Sequence, residues 1–300
     1  MNSKFKIFIH LGYPKTGTTY LQNYIFNNLT NVNYIGINNK FDKDLYFIRK
    51  SILKDDDKQF QKKIGVLRKI LKKKLKKSMV NIYSDEHFLI PTDKGYKRNI
   101  QRIKKLFLEF KNQINIMIFI RKPSDLILSM YKEGIKIKRL LEINYFNEFL
   151  DKIKKNKLNN NDRIFLDHYN FLETKKIIKK ELTKKIKIYN FDDFRKNQTL
   201  FTKKFLKNNN FKINAISIQN INKNLTTSET IIQKTFKKKL HNKKIYQIFA
   251  SIFNKILGPK YKYFIKDKIF LLLFGKKEYV NLKNINIIDE YFRKLNKTNY

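Results

Sequence analysis

The segment KIFIHLGYPKTGTTYLQ, residues 6–22, decides the fold. Its first part, Lys6–Leu11, is a short run of apolar and β-branched residues, which is typical of a buried strand. A glycine-containing turn follows, and apolar residues then recur at helical spacing over Thr18–Leu29. A strand, a tight loop and a helix in this order predict one unit of a parallel α/β sheet.

The same alternation of strands and helices continues along the chain. Apolar runs predict further strands at Met79–Tyr83, Ile114–Ile120 and Lys185–Tyr189, and amphipathic stretches predict helices at Phe60–Lys77, Tyr96–Lys111, Ser124–Arg139 and Asn197–Asn208. This alternation predicts a three-layer α/β/α architecture with a central parallel sheet. Ligands bind beyond the carboxyl ends of the strands in such sheets, so we expect the site just after Leu11, Tyr83, Ile120 and Tyr189.

The C-terminal quarter has a different pattern. Residues 226–300 show helical stripes and no rhythm of strands, which predicts a helical extension packed on the sheet domain. We therefore expect one domain over residues 1–300. The polar run Asn159–Asn161 predicts a loop.

The composition is strongly basic and lacks cysteine. The 300 residues include 67 Lys and Arg against 25 Asp and Glu, a net charge of +42, and no Cys. The absence of Cys excludes disulfides, thiolate catalysis and iron–sulfur clusters. The charge has two interpretations: a compositional bias shared with abundant Asn, Ile, Phe and Tyr, or an anionic partner such as nucleic acid, an acidic glycan or a membrane surface. No apolar run is long enough to span a membrane, and we expect a cytoplasmic protein.

The loop after the first strand has the features of a phosphate-binding site. Gly12 and Gly17 have the spacing of a P-loop, but Thr18 replaces the usual Lys and the Lys lies inside the loop, at Lys15. Glycine allows a tight turn in which successive N–H groups face an anion, and the following helix adds its positive end. The displaced Lys, and a third strand that ends in Arg121 rather than an acid, do not favour magnesium-dependent nucleotide hydrolysis.

A second candidate phosphate contact follows the third predicted strand. Arg121 leaves the strand, Pro123 breaks the chain, and Ser129 lies one to two turns into the next helix. A guanidinium and a hydroxyl at this place suit a terminal phosphate. The alternative is an ordinary surface Arg and a solvent-facing Ser.

Both segments resemble one enzyme family. YPKTGTT, Tyr13–Thr19, resembles the 5′-phosphosulfate loop of sulfotransferases that use 3′-phosphoadenosine 5′-phosphosulfate (PAPS), and RKPSDLILSMY, Arg121–Tyr131, resembles their 3′-phosphate segment except at Lys122. The resemblance covers about residues 4–212 and implies a P-loop-like sulfotransferase fold that needs no metal. It implies that the 5′-phosphosulfate is bound by Pro14, Lys15, Thr16, Gly17, Thr18 and Thr19. It further implies that Arg121 and Ser129 bind the 3′-phosphate and that Tyr20 stands where relatives place an aromatic ring against the adenine.

The segment YSDEHFLIP, Tyr83–Pro91, offers two candidates for the catalytic base. The resemblance implies that the residue that deprotonates the acceptor lies here, and our alignment puts Glu86 at that place with His87 beside it. Adjacent residues on an extended segment point to opposite sides, so we expect one of the two to face the sulfuryl group. Glu86 as the cap of the next element and His87 as a buried structural residue are the alternatives.

The acceptor is less well defined than the donor. The form GYPKTGTTYLQ looks most like bacterial and carbohydrate-type sulfotransferases, which implies a saccharide hydroxyl, with a small alcohol, phenol or lipid as the second choice. The basic helix Phe60–Lys77 is either a solvated face or a contact for an anionic glycan or membrane. Two rival classes remain, a P-loop nucleotide kinase and a basic nucleic-acid-binding protein, although we recognise no nucleic-acid module.

Overall fold

The fold is built on a sheet of five parallel strands. The computed structural model describes residues 5–36, 42–89, 95–136, 143–213 and 284–297. The strands are β1 (Lys6–Gly12), β2 (Val32–Gly36), β3 (Val80–Ser84), β4 (Ile114–Ile120) and β5 (Ile186–Asn190), in the order β2-β3-β1-β4-β5. Every neighbouring pair is parallel, which confirms the predicted parallel sheet.

Helices connect the strands. In chain order they are α1 (Thr18–Tyr20), α2 (Lys43–Leu53), α3 (Asp57–Lys74), α4 (Tyr96–Leu106), α5 (Pro123–Lys136), α6 (Ile143–Lys154), α7 (Asn160–Asp167), α8 (Phe171–Glu181), α9 (Phe191–Lys196), α10 (Gln198–Asn209) and α11 (Asn286–Lys297). Short 3₁₀ helices cover Glu86–Leu89 and Leu108–Gln113.

The first helical segment is not regularly wound. α1 lasts three residues and continues as a π-helical turn over Leu21–Ile25 and a 3₁₀ turn over Phe26–Asn28. The predicted helix Thr18–Leu29 is therefore present as a helical path that changes its winding twice. π-helical turns are often found near functional sites, and this one directly follows the candidate phosphate loop.

The sequence prediction missed several elements, among them the helices α2, α6 and α8. Strand β2 was not predicted, because VNYIG is short, contains a polar Asn and ends in Gly, and therefore lacks the apolar run of a central strand. The predicted loop Asn159–Asn161 was wrong. Asn159 caps α7 by accepting a hydrogen bond from the Asp162 N–H, and the Asp162 carboxylate accepts one from the Asn159 N–H, so the polar run begins a helix.

The central strand β1 is buried on both of its faces. Along β1, Ile7 and Ile9 alternate with Phe8 and His10, and all four side chains are at most 2% exposed. One face packs on an aromatic core from the first helical segment and from α9 and α10, with members Phe8, Tyr20, Phe26, Phe119, Phe194 and Phe205. Burial of alternate residues on both sides is the arrangement expected of a sheet between two helical layers.

Arg102 holds the helical layer of α2, α3 and α4 together. Its side chain is 3% exposed, and its Nη1 donates to the carbonyl oxygens of Ser51, Ile52 and Asp55 at 2.9–3.0 Å. Nη2 donates to Asp57, and the guanidinium lies over the Phe60 ring, 4.6 Å from its centroid. A cation at the C-terminal end of α2 satisfies carbonyls that have no partner within the helix.

The described residues fall into two compact units. Those of Met1–Leu126, Asn159–Ile221 and Lys294–Tyr300 form the unit that contains the sheet, and those of Ile127–Leu158 and Asn222–Arg293 form the second unit. The predicted single domain stays a prediction, and most of its helical extension, residues 226–283 and 298–300, lies outside the described residues. In the described part of the chain, no helix combines the length and apolar character needed to cross a membrane.

The strand order places the candidate site at the centre of the sheet. β1 and β4 are neighbours, and the chain leaves β1 toward β2 on one side but leaves β4 toward β5 on the other. Where two adjacent parallel strands send their connections in opposite directions, a crevice forms outside their carboxyl ends. The loops after Gly12 and after Ile120 border this crevice.

Candidate functional site

The loop between β1 and α1 has the backbone of an anion-binding turn. Lys15 and Gly17 both lie in the left-handed region, with φ of 65° and 76°. The Thr16 hydroxyl donates to the Tyr13 carbonyl oxygen at 2.6 Å and fixes the turn from within. Left-handed residues that alternate with right-handed ones direct successive N–H groups inward, as in known phosphate cradles. A lysine at positive φ is strained, and such strain is concentrated at functional sites.

Two glycines allow this loop to pack closely. A Cβ on Gly12 would lie 2.3 Å from Cγ2 of Thr18, and a Cβ on Gly17 would lie 2.6 Å from Cε2 of Phe191. Neither position has room for a side chain without a shift of its neighbour. Glycine is therefore favoured at both ends of the predicted phosphate loop because a larger residue would clash, and at Gly17 also because of the positive φ angle.

Arg121 meets the loop from the end of β4. Its Nη1 donates to the Lys15 carbonyl oxygen at 3.3 Å, and its guanidinium lies 5.4 Å from the centroid of the Phe191 ring. Burial lowers the pKa of Arg121 from its usual value, yet an arginine remains charged at neutral pH. The structure thus brings the two segments with anion-binding sequences to one edge of the sheet.

Glu86 also reaches the loop. Its carboxylate accepts a hydrogen bond from the Thr18 hydroxyl. Because Glu86 follows β3 and Thr18 follows the loop after β1, this bond joins the ends of two neighbouring strands. An ionisable acid therefore lies directly beside the hydroxyl that is predicted to bind phosphate.

His87 is held by a different partner. Its Nδ1 lies 2.9 Å from Oδ1 of Asp85, which also accepts the His87 backbone N–H, and Arg49 Nε lies 3.7 Å from the other oxygen of Asp85. The Asp85 side chain is 4% exposed, whereas that of His87 is 35% exposed. The segment is not extended as expected, because Glu86–Leu89 form a 3₁₀ helix. Which of Glu86 and His87 faces the sulfuryl group stays a prediction.

The remaining predicted residues have diverse surroundings. Pro14 and Thr16 are buried and Thr19 is exposed. The Tyr20 ring packs in the core against Tyr24 and Phe194, at centroid distances of 5.5 and 4.8 Å. Ser129 is buried and belongs to the second unit. The assignment of Tyr20 to adenine and of Ser129 to a phosphate stays a prediction.

Phe191 was missed as a contact of the loop. It follows β5 directly, at the sheet edge where ligands are expected, and its ring contacts Gly17, Arg121 and the Phe194 ring. A sequence signal was available, since the position after Tyr189 was indicated by the sheet rule. The residue type itself does not indicate a site, because aromatic residues are abundant in this chain and usually belong to the core.

The edge is suited to binding a multiply charged anion without a metal ligand set. It combines the backbone N–H groups of the turn, the hydroxyls of Thr18 and Thr19, and the cationic side chains of Lys15 and Arg121. Among the described residues, no three His, Asp or Glu side chains lie close enough together to hold one metal ion.

No protein-family model matches this chain, and no curated protein matches it. Among solved structures, the chain is similar to a sulfotransferase from Alicyclobacillus acidocaldarius, with 14% sequence identity and a TM-score of 0.48 over 73% of this chain and 86% of that one. It is also similar to a retinol dehydratase in a complex with retinol and PAP, with 11% identity and a TM-score of 0.30 over 99% of this chain and 80% of that one. At these values the likeness assigns no reaction to this chain, and the reaction has to be argued from its own residues.

Proposed function

We propose that this chain is a sulfotransferase that transfers the sulfuryl group of PAPS to a hydroxyl group of an acceptor. The hydrogen bond from Arg121 to the Lys15 carbonyl carries the proposal, because it joins the two segments whose sequences resemble the sulfotransferase motifs. These segments are 106 residues apart in the chain. Two cationic segments at one edge suit a donor with phosphate groups at both ends.

The loop has the properties required by the 5′-phosphosulfate end of the donor. The absence of side chains at Gly12 and Gly17 leaves a close-packed backbone turn, and the helix that begins at Thr18 adds its positive end. Thr18 and Thr19 would donate from their hydroxyls, and Lys15 would supply a full positive charge. In this arrangement the loop binds the anion mainly through the backbone and a single cation.

Arg121 is the proposed ligand of the 3′-phosphate, with Ser129 as a further donor. A guanidinium binds a phosphate through two parallel hydrogen bonds, and this adds geometric selectivity to the attraction. A contact with the 3′-phosphate favours PAPS over ATP, because ATP lacks this phosphate. The role of Ser129 rests on its sequence position, eight residues beyond Arg121 on helix α5.

The reaction needs positioned charge more than covalent chemistry from the protein. PAPS supplies the sulfuryl group: the acceptor oxygen bonds to sulfur, the bond from sulfur to the bridging oxygen breaks, and 3′-phosphoadenosine 5′-phosphate leaves. Lys15 would neutralise the negative charge that develops on the bridging oxygen. By analogy with phosphoryl transfer, such charge stabilisation and alignment account for most of the rate.

Glu86 is the proposed base that takes the proton of the acceptor hydroxyl. Its carboxylate now accepts from the Thr18 hydroxyl, and a phosphate group in the loop would compete for that same hydroxyl. Donor binding would thereby release Glu86 for the acceptor. His87 is the second candidate, favoured by its contact with the buried Asp85, since a base oriented by a carboxylate is a common catalytic arrangement.

A saccharide hydroxyl is the proposed acceptor class, and a small alcohol, phenol or lipid is the second choice. The proposal rests on the form of the loop sequence, which looks most like the bacterial and carbohydrate-type enzymes. The net charge of +42 would attract an acidic saccharide at low salt. A cytoplasmic location belongs to the same proposal.

The donor is tested by thermal shift with 3′-phosphoadenosine 5′-phosphate, ATP and ADP. We expect the 3′-phosphorylated ligand to raise the melting temperature most, without any metal. Lys15→Ala should remain folded and lose transferase activity about 10²–10³-fold. Lys69→Ala is the matched control, since Lys69 is exposed on α3. If ATP with magnesium raised the melting temperature most, the result would support the rival class, a P-loop nucleotide kinase.

The base is tested with Glu86→Gln and His87→Gln, assayed with labelled PAPS and a panel of saccharide and phenolic acceptors. If Glu86 is the base, its variant should lose about 10²–10⁴-fold in kcat and still bind the donor, because general-base catalysis contributes that range. The His87 variant should then change kcat only slightly. The reverse result would assign the base to His87.

A further inference from the structure

His10 lies in the core directly below the phosphate loop. It is fully buried, and its ring makes edge-to-face contacts with Phe26 and Phe119, each at a centroid distance of 5.3 Å. A Cβ on Gly12 would lie 3.3 Å from His10 Nε2 and 2.3 Å from Cγ2 of Thr18, so this nitrogen faces the underside of the loop. Within the described residues, Nε2 has no hydrogen-bond partner.

The other ring nitrogen belongs to a network centred on Ser84. His10 Nδ1 lies 2.7 Å from Ser84 Oγ, and Gln22 Nε2 donates to the same oxygen at 3.0 Å. The Tyr34 hydroxyl also forms a hydrogen bond with Ser84. Gln22 lies on the π-helical turn that follows the loop, and Ser84 is the last residue of β3. The network therefore connects β1, β3 and the first helical segment immediately below the site.

The tautomer of His10 depends on the direction of the hydrogen bonds at Ser84, above all on whether Tyr34 donates to Ser84 or accepts from it. A hydroxyl accepts two hydrogen bonds and donates one. If Gln22 and Tyr34 both donate to Ser84, its own proton is directed to His10 Nδ1, which then acts as the acceptor. In a neutral imidazole the ring proton consequently lies on Nε2, the atom that faces the loop. Burial lowers the pKa of His10 to about 3, so the ring stays neutral at physiological pH.

We propose that His10 is a positioning residue for the phosphate loop, with its Nε2–H held as a neutral donor below Gly12 and Thr18. The inference rests on the proposed function, because it assigns His10 a part in binding the donor phosphates. A buried N–H of fixed orientation favours negative charge above it and changes little when the anion binds. A neutral donor also leaves the charges of Lys15 and Glu86 undisturbed.

A pair of variants separates the two ring nitrogens. His10→Gln places a donor near Nε2, whereas His10→Asn reaches only the position of Nδ1 and keeps the bond to Ser84. Calorimetry with 3′-phosphoadenosine 5′-phosphate should show an affinity about tenfold weaker for His10→Asn, because this variant lacks the buried N–H below the loop. His10→Gln should stay within about threefold of the native affinity. Equal losses in both variants, in proportion to their loss of thermal stability, would mean that His10 only supports the core and would overturn the proposal.

The tautomer has a readout that does not depend on the reaction. In protein with ¹⁵N-labelled histidine, the signals of His10 should show a proton on Nε2 and no titration between pH 5 and 8. Ser84→Ala should change this pattern, because it removes the donor to Nδ1. A proton on Nδ1 in the native protein would overturn the proposal.

The same two variants separate this inference from the proposed function. If native protein binds inorganic pyrophosphate but not 3′-phosphoadenosine 5′-phosphate, the sulfotransferase proposal fails. The affinities of His10→Asn and His10→Gln for pyrophosphate would then still test the effect of His10 on the loop, because the first variant should bind more weakly than the second. If native protein binds the nucleotide and His10→Asn binds it equally well, the inference about His10 fails alone.

Discussion

The buried Arg102 and the half-buried Arg121 differ in how many hydrogen bonds they donate to the protein. Arg102, in the layer of α2, α3 and α4, donates to three backbone carbonyls and one carboxylate. Arg121, at the carboxyl end of β4, is half-buried, donates to one carbonyl and lies over an aromatic ring. A cation whose hydrogen bonds are made by the protein stabilises the fold. Arg121 donates to a single carbonyl, with Asp125 and Asp192 near enough to raise its pKa, and has donors left for an external anion. The helical layer is thus suited to stabilising the fold, and the carboxyl end of the sheet to the proposed binding of an anion.

Exchange of each arginine for methionine gives the largest expected effect and the most direct test of this comparison. Arg102→Met should lower the free energy of unfolding by about 3 kcal/mol, because several hydrogen bonds of a charged group are lost at the end of α2. Arg121→Met should change it by less than about 1 kcal/mol and weaken binding of 3′-phosphoadenosine 5′-phosphate about ten- to hundredfold. Urea denaturation and calorimetry measure the two quantities. Similar stability losses in both variants would contradict the comparison.

The stability of the site edge should depend on pH through His10. Burial depresses its pKa to about 3, so the folded state excludes a proton that the unfolded chain binds below about pH 6.5. Stability from this group is therefore present above pH 6.5 and is lost as the pH falls toward 3, by about 2 kcal/mol at pH 5. Urea midpoints from pH 7.5 to 5 should fall more steeply for the native protein than for His10→Phe. Parallel curves for the two proteins would contradict this assignment.

Two glycines sharpen the comparison further. Gly17→Ala would introduce a Cβ at φ 76° and 2.6 Å from Phe191, so the loop must shift, and we expect donor affinity to fall about tenfold. Gly65→Ala is the matched control in the helical layer. A Cβ there meets nothing within 4 Å, and the change should stabilise α3 by about 0.5–1 kcal/mol with no effect on binding. Thermal shift and nucleotide calorimetry on both variants provide the check, and unaltered binding by Gly17→Ala would show that the loop tolerates a side chain.

The smallest expected effect concerns Asp57 in the helical layer. The hydrogen bond from Arg102 lowers the pKa of Asp57 from its usual value. A carboxyl with a depressed pKa in the folded state contributes stability above about pH 4, and this contribution is lost as the pH falls through the folded pKa. Asp57→Asn should therefore be less stable than the native protein at pH 6 and approach it near pH 3. A constant difference across this range in urea titrations would contradict the role of the charge.

The sequence is informative about the sheet for a clear physical reason. Strands buried on both faces must be nearly continuous apolar runs, and β4, predicted at Ile114–Ile120, has those bounds in the structure. Edge strand β2 carries polar residues and Gly, and therefore resembles a turn. The tight turn after β1 was predictable because such turns require glycine at particular places.

The network below the loop was not predictable from the sequence. His10 and Ser84 are 74 residues apart, and they meet only because β1 and β3 pair in a register that places them side by side. A histidine inside an apolar strand can be noticed, but its partner depends on that register. The contact of Thr18 with Glu86 is a consequence of the same pairing.

The π-helical turn Leu21–Ile25 accommodates one residue more than an α-helical turn would. Deletion of a single residue within it would restore regular winding and move the remaining residues of the turn by about 100° around the helix axis, while the residues on either side keep their faces. Gln22 would then leave Ser84, while the phosphate loop itself would keep every one of its residues. Loss of one residue from this turn would consequently separate the loop from the network of Ser84, with no change to any residue of the loop itself.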